Sequence, residues 1–273
     1  MRKLFMTFLT LFVMLFTQCE IFTPEEPLPI EPKSLIIDHK ATKIDSVPII
    51  WCDSAKLKLH IAYEHTSHGS QIVDGMNGLK NWKGEAYGGL DLRDHAITGW
   101  SDLGSATWDT DTRNYLNSHP EINVVMWSWC GQVSTATPEF IDNYLSKMTA
   151  LETEFPNVTF IYMTGHLDGT GEMGNLNQRN EQIRNYCKVN NKVLFDFAAI
   201  ESYDPDGNYF LNRGANDNCD YDGGNWAIEW QNAHQQNTHW YSCGSAHSQP
   251  LNANLKAYAA WNMWARLAGW DGR

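Results

Sequence analysis

Apolar and polar positions along this chain fall into short runs that alternate between two periods. LKLHIAY (57–63) reads as a strand, and a helix-compatible stretch follows it through Gln71 to about Leu79. INVVMWSW (122–129) has six apolar residues in eight, the pattern of a strand buried on both faces. PEFIDNYLSKMTALETEF (138–155) changes to the helical period. It places Phe140, Ile141, Tyr144, Leu145, Met148, Leu151 and Phe155 on one stripe, with Pro138 in the first turn. NVTFIYMTG (157–165) reads as a strand, the stretch around NQRNEQIRNYCKV as a helix, and KVLFDFA (192–198) as a strand again. A last helix from about Leu251 to Leu267 repeats Leu255, Ala259, Met263 and Leu267 at intervals of four, after Pro250.

Strands that alternate with helices predict βαβ crossovers. The expected fold is α/β, a three-layer α/β/α sandwich with a mainly parallel sheet. Ligands of such sheets bind beyond the carboxyl ends of the strands. That rule singles out HTSHGSQ (65–71), CGQVS (130–134) and TGHLDG (164–169), together with CGSAHSQPLN (243–252), which leads into the last helix.

The first residues follow another rule. MRK and the thirteen-position run LFMTFLTLFVMLF are too short for a spanning helix, which needs roughly 20 residues. They read as a signal peptide over 1–19 that ends at Cys19 in FTQC, the layout of a bacterial lipoprotein whose cysteine is lipidated. TPEEPLPIEPKS then suits an extended tether over 20–34. Residues 35–273 are the right length for a single α/β domain. The expected protein is exported and held at the membrane through Cys19.

Composition narrows the partners. A net charge of −12 excludes a nucleic-acid partner. Twelve tryptophans exceed what a core needs, and some could stack on sugars. Besides Cys19 the chain has Cys52, Cys130, Cys187, Cys219 and Cys243, and Cys219–Cys243 is the favoured disulfide. No CxxC and no close Cys/His quartet points to zinc.

The rim loops carry the parts of acyl-transfer chemistry. A serine hydroxyl needs a base, usually histidine, and its oxyanion needs fixed donors. Ser67, Ser70, His65, His68, Ser128, Gly131, Gln132, His166, Asp168 and His247 are all placed at one end of the deduced sheet. Ser67 and Ser70 are equally suited to capping the helix that follows them.

This layout resembles the SGNH (GDSL-like) hydrolase superfamily, over about Leu57 to Gly269. The resemblance implies a flavodoxin-like sandwich and an ester hydrolase. In that family the nucleophile directly follows the first strand, which corresponds to Ser67 in HTS, with Ser70 as the other candidate. A glycine of the second block corresponds to Gly104 in ITGWSDLGSATWDTDTRNYL (97–116), or less well to Gly99. A further oxyanion donor corresponds to Gln132, and the catalytic base to His247. His68 and His166 complete the candidate set. The chain lacks GDS, and Gly244 stands where the family has the aspartate three residues before its histidine. The orienting carboxylate is then Asp220 or Asp222, or else a backbone carbonyl leaves a Ser–His dyad.

The reading that results is a cell-envelope esterase acting on an acylated, for example acetylated, carbohydrate, with no required cofactor. Two alternatives stand beside it. One is a non-catalytic glycan-binding lipoprotein that uses the same pocket. The other is a metal-dependent hydrolase built on His65, His68, His166 and Asp168. NCDYDGGNWAIE (218–229) also has the spacing of a calcium loop, with Asn218, Asp220 and Asp222 in the first, third and fifth places and Glu229 in the twelfth. Asn225 occupies its apolar eighth place, and no clear helix precedes it.

Overall fold

The computed structural model describes residues 34–273, so the signal peptide, Cys19 and the tether up to residue 33 lie outside the described residues. Six parallel strands form the main sheet in the order β1-β6-β5-β4-β2-β3. They are β1 (Leu35–Ile37), β2 (His60–Glu64), β3 (Asp91–Asp94), β4 (Val124–Trp127), β5 (Thr159–Met163) and β6 (Val193–Phe195). The central strands β2, β4 and β5 bury almost every residue, which is why they read as apolar runs.

Helices fill both faces. On one face, α2 (Ser70–Lys83) and α1 (Ile49–Lys58) pack on the last helix, α8 (Pro250–Leu267). On the other, α3 (Trp108–Ser118), α4 (Pro138–Glu154) and α5 (Asn175–Val189) pack in sequence. The three-layer sandwich expected from the alternation is the observed fold. A short helix α6 (Phe197–Glu201), a hairpin β7 (Asp220–Tyr221) and β8 (Gly224–Asn225), and α7 (Trp226–Ala233) lie between β6 and α8. Among the described residues no helix is long and apolar enough to cross a membrane.

Every residue of α8 from Leu251 to Ala265 is buried. The small residues on this helix permit that. A side chain at Gly75 of α2 would begin 2.2 Å from the Ala253 carbonyl oxygen, so glycine is what lets α2 and α8 touch backbone to backbone. In α4, the Thr137 hydroxyl accepts the Phe140 amide at 3.2 Å and Pro138 opens the helix, which fixes its start.

Two elements depart from the sequence pattern. Leu57 and Lys58 close α1 rather than open a strand, and Leu57 is fully on the surface, so β2 begins at His60. β3 carries the sequence DLRD on the sheet edge and has no apolar run to announce it.

The topology places the site. From β2 the chain steps to β3 on one side, then returns to lay β4 on the other. The loops after β2 and β4 therefore diverge, and the crevice between them is the switch point where open α/β sheets bind ligands.

Candidate active site

The switch-point crevice is built from HTSHG after β2 and SWCG after β4. The ladder of the two strands continues past their ends, with the Ser128 amide donating to the Glu64 carbonyl at 3.1 Å. Gly69 makes the first loop fold tightly. A side chain there would begin 2.3 Å from His65 Cβ, 2.4 Å from Ser128 Oγ and 2.7 Å from the Tyr63 hydroxyl. The Tyr63 hydroxyl donates to the Gly69 carbonyl at 3.0 Å and pins the turn from below.

This turn aims His68 into the crevice, where its ring is buried. His68 Nε2 lies 3.0 Å from Asp217 Oδ2, and Nδ1 lies 3.5 Å from Cys130 Sγ. A carboxylate can only accept, so the proton of a neutral ring belongs on Nε2. Nδ1 is then left with its lone pair facing the thiol. Burial holds His68 below the ordinary histidine value, and the bond to Asp217 offsets this only in part. Burial pushes the Asp217 carboxyl up, but the hydrogen bond from His68, the charges of His166 and His68 and the Asn218 amide together hold Asp217 below the usual carboxylate range. Thiol, imidazole and carboxylate thus stand in a line, the geometry of a nucleophile, its base and the group that orients the base.

Two further histidines flank the base. The His166 ring lies 3.7 Å from that of His68 at an interplanar angle of 4°, and the His247 ring lies 4.5 Å away at 21°. His166 Nδ1 lies 2.8 Å from the Leu167 carbonyl, so Nδ1 carries the proton of a neutral ring. A stack of imidazoles disfavours charge on its central ring, and both neighbours act to lower His68.

A fully buried network behind the stack holds the two outer loops. Lys256 of α8 donates to Glu201 Oε1 at 2.6 Å and also to Gln71 Oε1. Glu201 Oε2 accepts the Leu167 amide at 2.7 Å, beside His166. Gln71 Nε2 donates to the Ala246 carbonyl at 2.5 Å, beside His247. Asn180 adds a second clamp, accepting from the Gly165 amide at 2.8 Å and donating to its carbonyl at 3.1 Å.

The structure therefore brings His68, His166 and His247 together at one rim, as the sequence suggested, but redistributes the other parts. Ser67 lies beside His68, yet among the described residues neither Ser67 Oγ nor Ser70 Oγ is hydrogen-bonded to His247. Ser70 Oγ instead donates to the Ser67 carbonyl at 2.8 Å, a local turn bond. Gly104 and Gln132 do meet, but their donors are turned to a carboxylate. The Gly104 amide donates to Asp102 Oδ1 at 2.8 Å and Gln132 Nε2 to the same oxygen at 3.0 Å. Thr66 Oγ1 completes this knot by donating to Asp102 Oδ2 at 2.9 Å. Asp102 locks the loop after β3 against the other two.

Neither Asp220 nor Asp222 orients His247. Asp220 accepts from the side-chain amides of Asn225 at 2.8 Å and Asn218 at 3.0 Å, which closes the β7–β8 hairpin. Glu229 accepts from the Tyr221 hydroxyl at 2.9 Å and the Asn225 amide at 3.2 Å. Asp220 and Glu229 are engaged in these separate hydrogen bonds, and 218–229 forms a hairpin leading into α7. Among the described residues Cys219 and Cys243 are free and do not form the expected disulfide. Cys219 Sγ faces Ser248 Oγ at 3.5 Å, and Cys243 Sγ faces the Pro250 carbonyl at 3.8 Å. Trp127 and Trp129 are core residues whose ring N–H groups bond Thr112 Oγ1 and the Met163 carbonyl, both at 2.9 Å.

The set His65, His68, His166 and Asp168 separates. Asp168 caps its own turn by accepting from the Thr170 amide and hydroxyl. His65 joins Asp94 and His95 in a second cluster. The ligand-capable atoms of His68, His166 and Asp217 do lie within 4.8 Å of one another. However, parallel rings send their lone pairs out side by side rather than to a shared point, and both His68 nitrogens already have partners.

Two residues at the centre escaped the sequence reading. Cys130 stood among five cysteines weighed for pairing, although its place directly after a buried strand and before Gly131 marks a rim residue. Asp217 is 149 positions from His68, in a loop where acidic and amide residues alternate, and no local pattern separates it from its neighbours.

No protein-family model matches the chain, and no curated protein does.

Proposed function

We propose that the protein is a hydrolase of acyl esters that works through a covalent intermediate on Cys130, with His68 as base and Asp217 as the group orienting it. The observation that carries this reading is the line Cys130 Sγ–His68 Nδ1–His68 Nε2–Asp217 Oδ2, with gaps of 3.5 and 3.0 Å. It keeps the ester chemistry expected from the SGNH resemblance and moves the nucleophile from Ser67 to the thiol.

In the first half-reaction the Cys130 proton passes to His68 Nδ1 as sulfur attacks the carbonyl carbon. The bond to the alcohol oxygen then breaks, and that oxygen takes the proton from His68. In the second half, His68 removes a proton from water, whose oxygen attacks the thioester. The carbon–sulfur bond breaks and the thiolate regains the proton. The Gly131 amide, next to the nucleophile and without a hydrogen-bond partner among the described residues, is the donor available to the oxyanion. Nothing lies within 4 Å of where a Gly131 side chain would begin, so the approach to Cys130 stays open.

An acylated carbohydrate is the substrate class we favour. Trp100 is 62% exposed on the loop after β3, and Glu64 fixes that loop by accepting the amides of Ile97, Thr98 and Ser101. A rigid exposed indole offers the apolar C–H face of a sugar a surface to stack on. Export and anchoring through Cys19 complete the proposal.

Steady-state hydrolysis of an aryl acetate by the Cys130→Ala and Ser67→Ala proteins tests it. Loss of turnover in the first with turnover kept in the second is expected. The reverse pattern restores Ser67 as nucleophile. Glycan binding without turnover in the unaltered protein identifies a binding lipoprotein instead.

A further inference from the structure

The second histidine cluster sits at the carboxyl ends of β2 and β3, on the far side of the Gly69 turn from Cys130. His65 is buried, and each of its ring nitrogens faces an oxygen. Nδ1 lies 2.8 Å from the Thr66 carbonyl and Nε2 lies 2.7 Å from Asp94 Oδ1. A carbonyl can only accept, so Nδ1 carries the proton of a neutral ring. Its Nε2 lone pair then points at a carboxylate, and two acceptors at that distance need a positive centre beside them. A backbone carbonyl that fixes the tautomer of a buried histidine is also the usual outer partner of a metal-bound imidazole.

The neighbouring His95 argues that this centre is more than a proton. Its ring lies 4.2 Å from His65 at an interplanar angle of 44°, tilted where the His68–His166 pair is parallel. Its Nδ1 is buried without a hydrogen-bond partner among the described residues, and Glu64 Oε1 stays 3.8 Å away. The backbone holds His95 at φ 50°, a conformation that non-glycine residues rarely adopt. A proton shared by His65 and Asp94 would leave His95 unsatisfied. One nitrogen from each ring and one Asp94 oxygen lie within 4.8 Å of one another, a spacing that a single divalent ion can span.

We infer that His65, Asp94 and His95 form a site for a zinc-class divalent cation. Two imidazoles and one carboxylate are a common three-ligand set for such ions, with water in the fourth place. Asp94 is exposed, which gives the ion an entry path. Seating it at roughly 2.0–2.2 Å from each ligand asks Asp94 to swing outward by about half an ångström. The ion ties the end of β2 to the end of β3 just ahead of Ser67 and His68. This assignment does not depend on Cys130.

Titration calorimetry of the untagged, chelator-treated protein with Zn2+, paired with Co2+ absorption spectra, tests the site. The unaltered protein should take up zinc and give a cobalt spectrum of nitrogen and oxygen ligation. Asp94→Ala and His95→Ala should each lose one equivalent, or bind it at least about 100-fold more weakly. His166→Ala should keep it. Three results overturn the assignment. They are no uptake by the unaltered protein, uptake unchanged in either Asp94→Ala or His95→Ala, and an equivalent lost in His166→Ala alone.

Discussion

Two clusters of histidine and aspartate lie at the carboxyl edge of one sheet, on either side of the turn 65–70, and they differ in what their ring nitrogens face. In the first, His68 keeps a free lone pair toward a thiol, while parallel stacking with His166 and His247 disfavours charge on the ring. In the second, His65 Nε2 faces a carboxylate, and a tilted His95 adds a nitrogen without a hydrogen-bond partner among the described residues. Residue types alone do not separate the two. The difference lies in what each lone pair faces and whether neighbouring ring planes are parallel or convergent. A base needs one proton acceptor held neutral, whereas a metal needs several donors aimed at one point.

The sharpest way to break the comparison is at the thiol. Cys130→Ala should lower ester turnover by about 10³-fold or more while leaving zinc uptake unchanged, measured on the same preparation. Asp217→Asn comes next. It keeps the shape but replaces an acceptor-only carboxylate by a neutral amide that can donate to Nε2 and reverse the His68 tautomer, so kcat should fall by about 10²–10⁴-fold. Uptake of zinc that vanished with Asp217 would join the two clusters into one site and end the distinction.

Lys256→Met leaves Glu201 buried without its cation, which costs about 3–5 kcal/mol in a denaturant melt. Pairing it with Glu201→Leu should recover most of that loss, because the unpaired charge is gone. The residual defect should then be in turnover, through the loops that carry His166 and His247. Gly69→Ala should cost about 1–3 kcal/mol from overpacking and disturb both clusters, since the added methyl meets His65 and Ser128.

The smallest effect expected is on the pH profile. His68 is held below 6.5, so the neutral base survives to lower pH and the acid limb of kcat/KM should fall below 6.5. Asp217 supports the protonated ring, so Asp217→Asn should move that limb lower still. The same shifts set a sign for stability. Below pH 6.5 the unfolded chain binds a proton at this histidine that the folded protein resists, so stability falls with pH there. The depressed Asp217 adds a loss in the same direction at lower pH, where the unfolded carboxylate protonates first.

The layout of the sheet was legible in the sequence because buried parallel strands are apolar runs, and β2, β4, β5 and β6 announced themselves in that way. The loops following the first three of these could be singled out, since the switch-point rule needs only strand order. β3 was not legible, because an edge strand of sequence DLRD offers one apolar residue, Leu92, and no apolar run. The three stacked histidines were named individually, but their stacking depends on the buried Lys256–Glu201–Gln71 network, whose members are far apart in the chain. Gly104 and Gln132 were rightly expected to meet. That both would donate to Asp102 follows from a side chain that no pattern of spacing selects.

Intact-protein and peptide mass spectrometry after brief exposure to an aryl acetate at low pH tests the central claim most directly. The account predicts one acetyl group on the peptide carrying Cys130, absent from the Cys130→Ala protein and present in the Ser67→Ala protein. An acetyl group on Ser67, or steady turnover with no acetyl group trapped on Cys130, would contradict it.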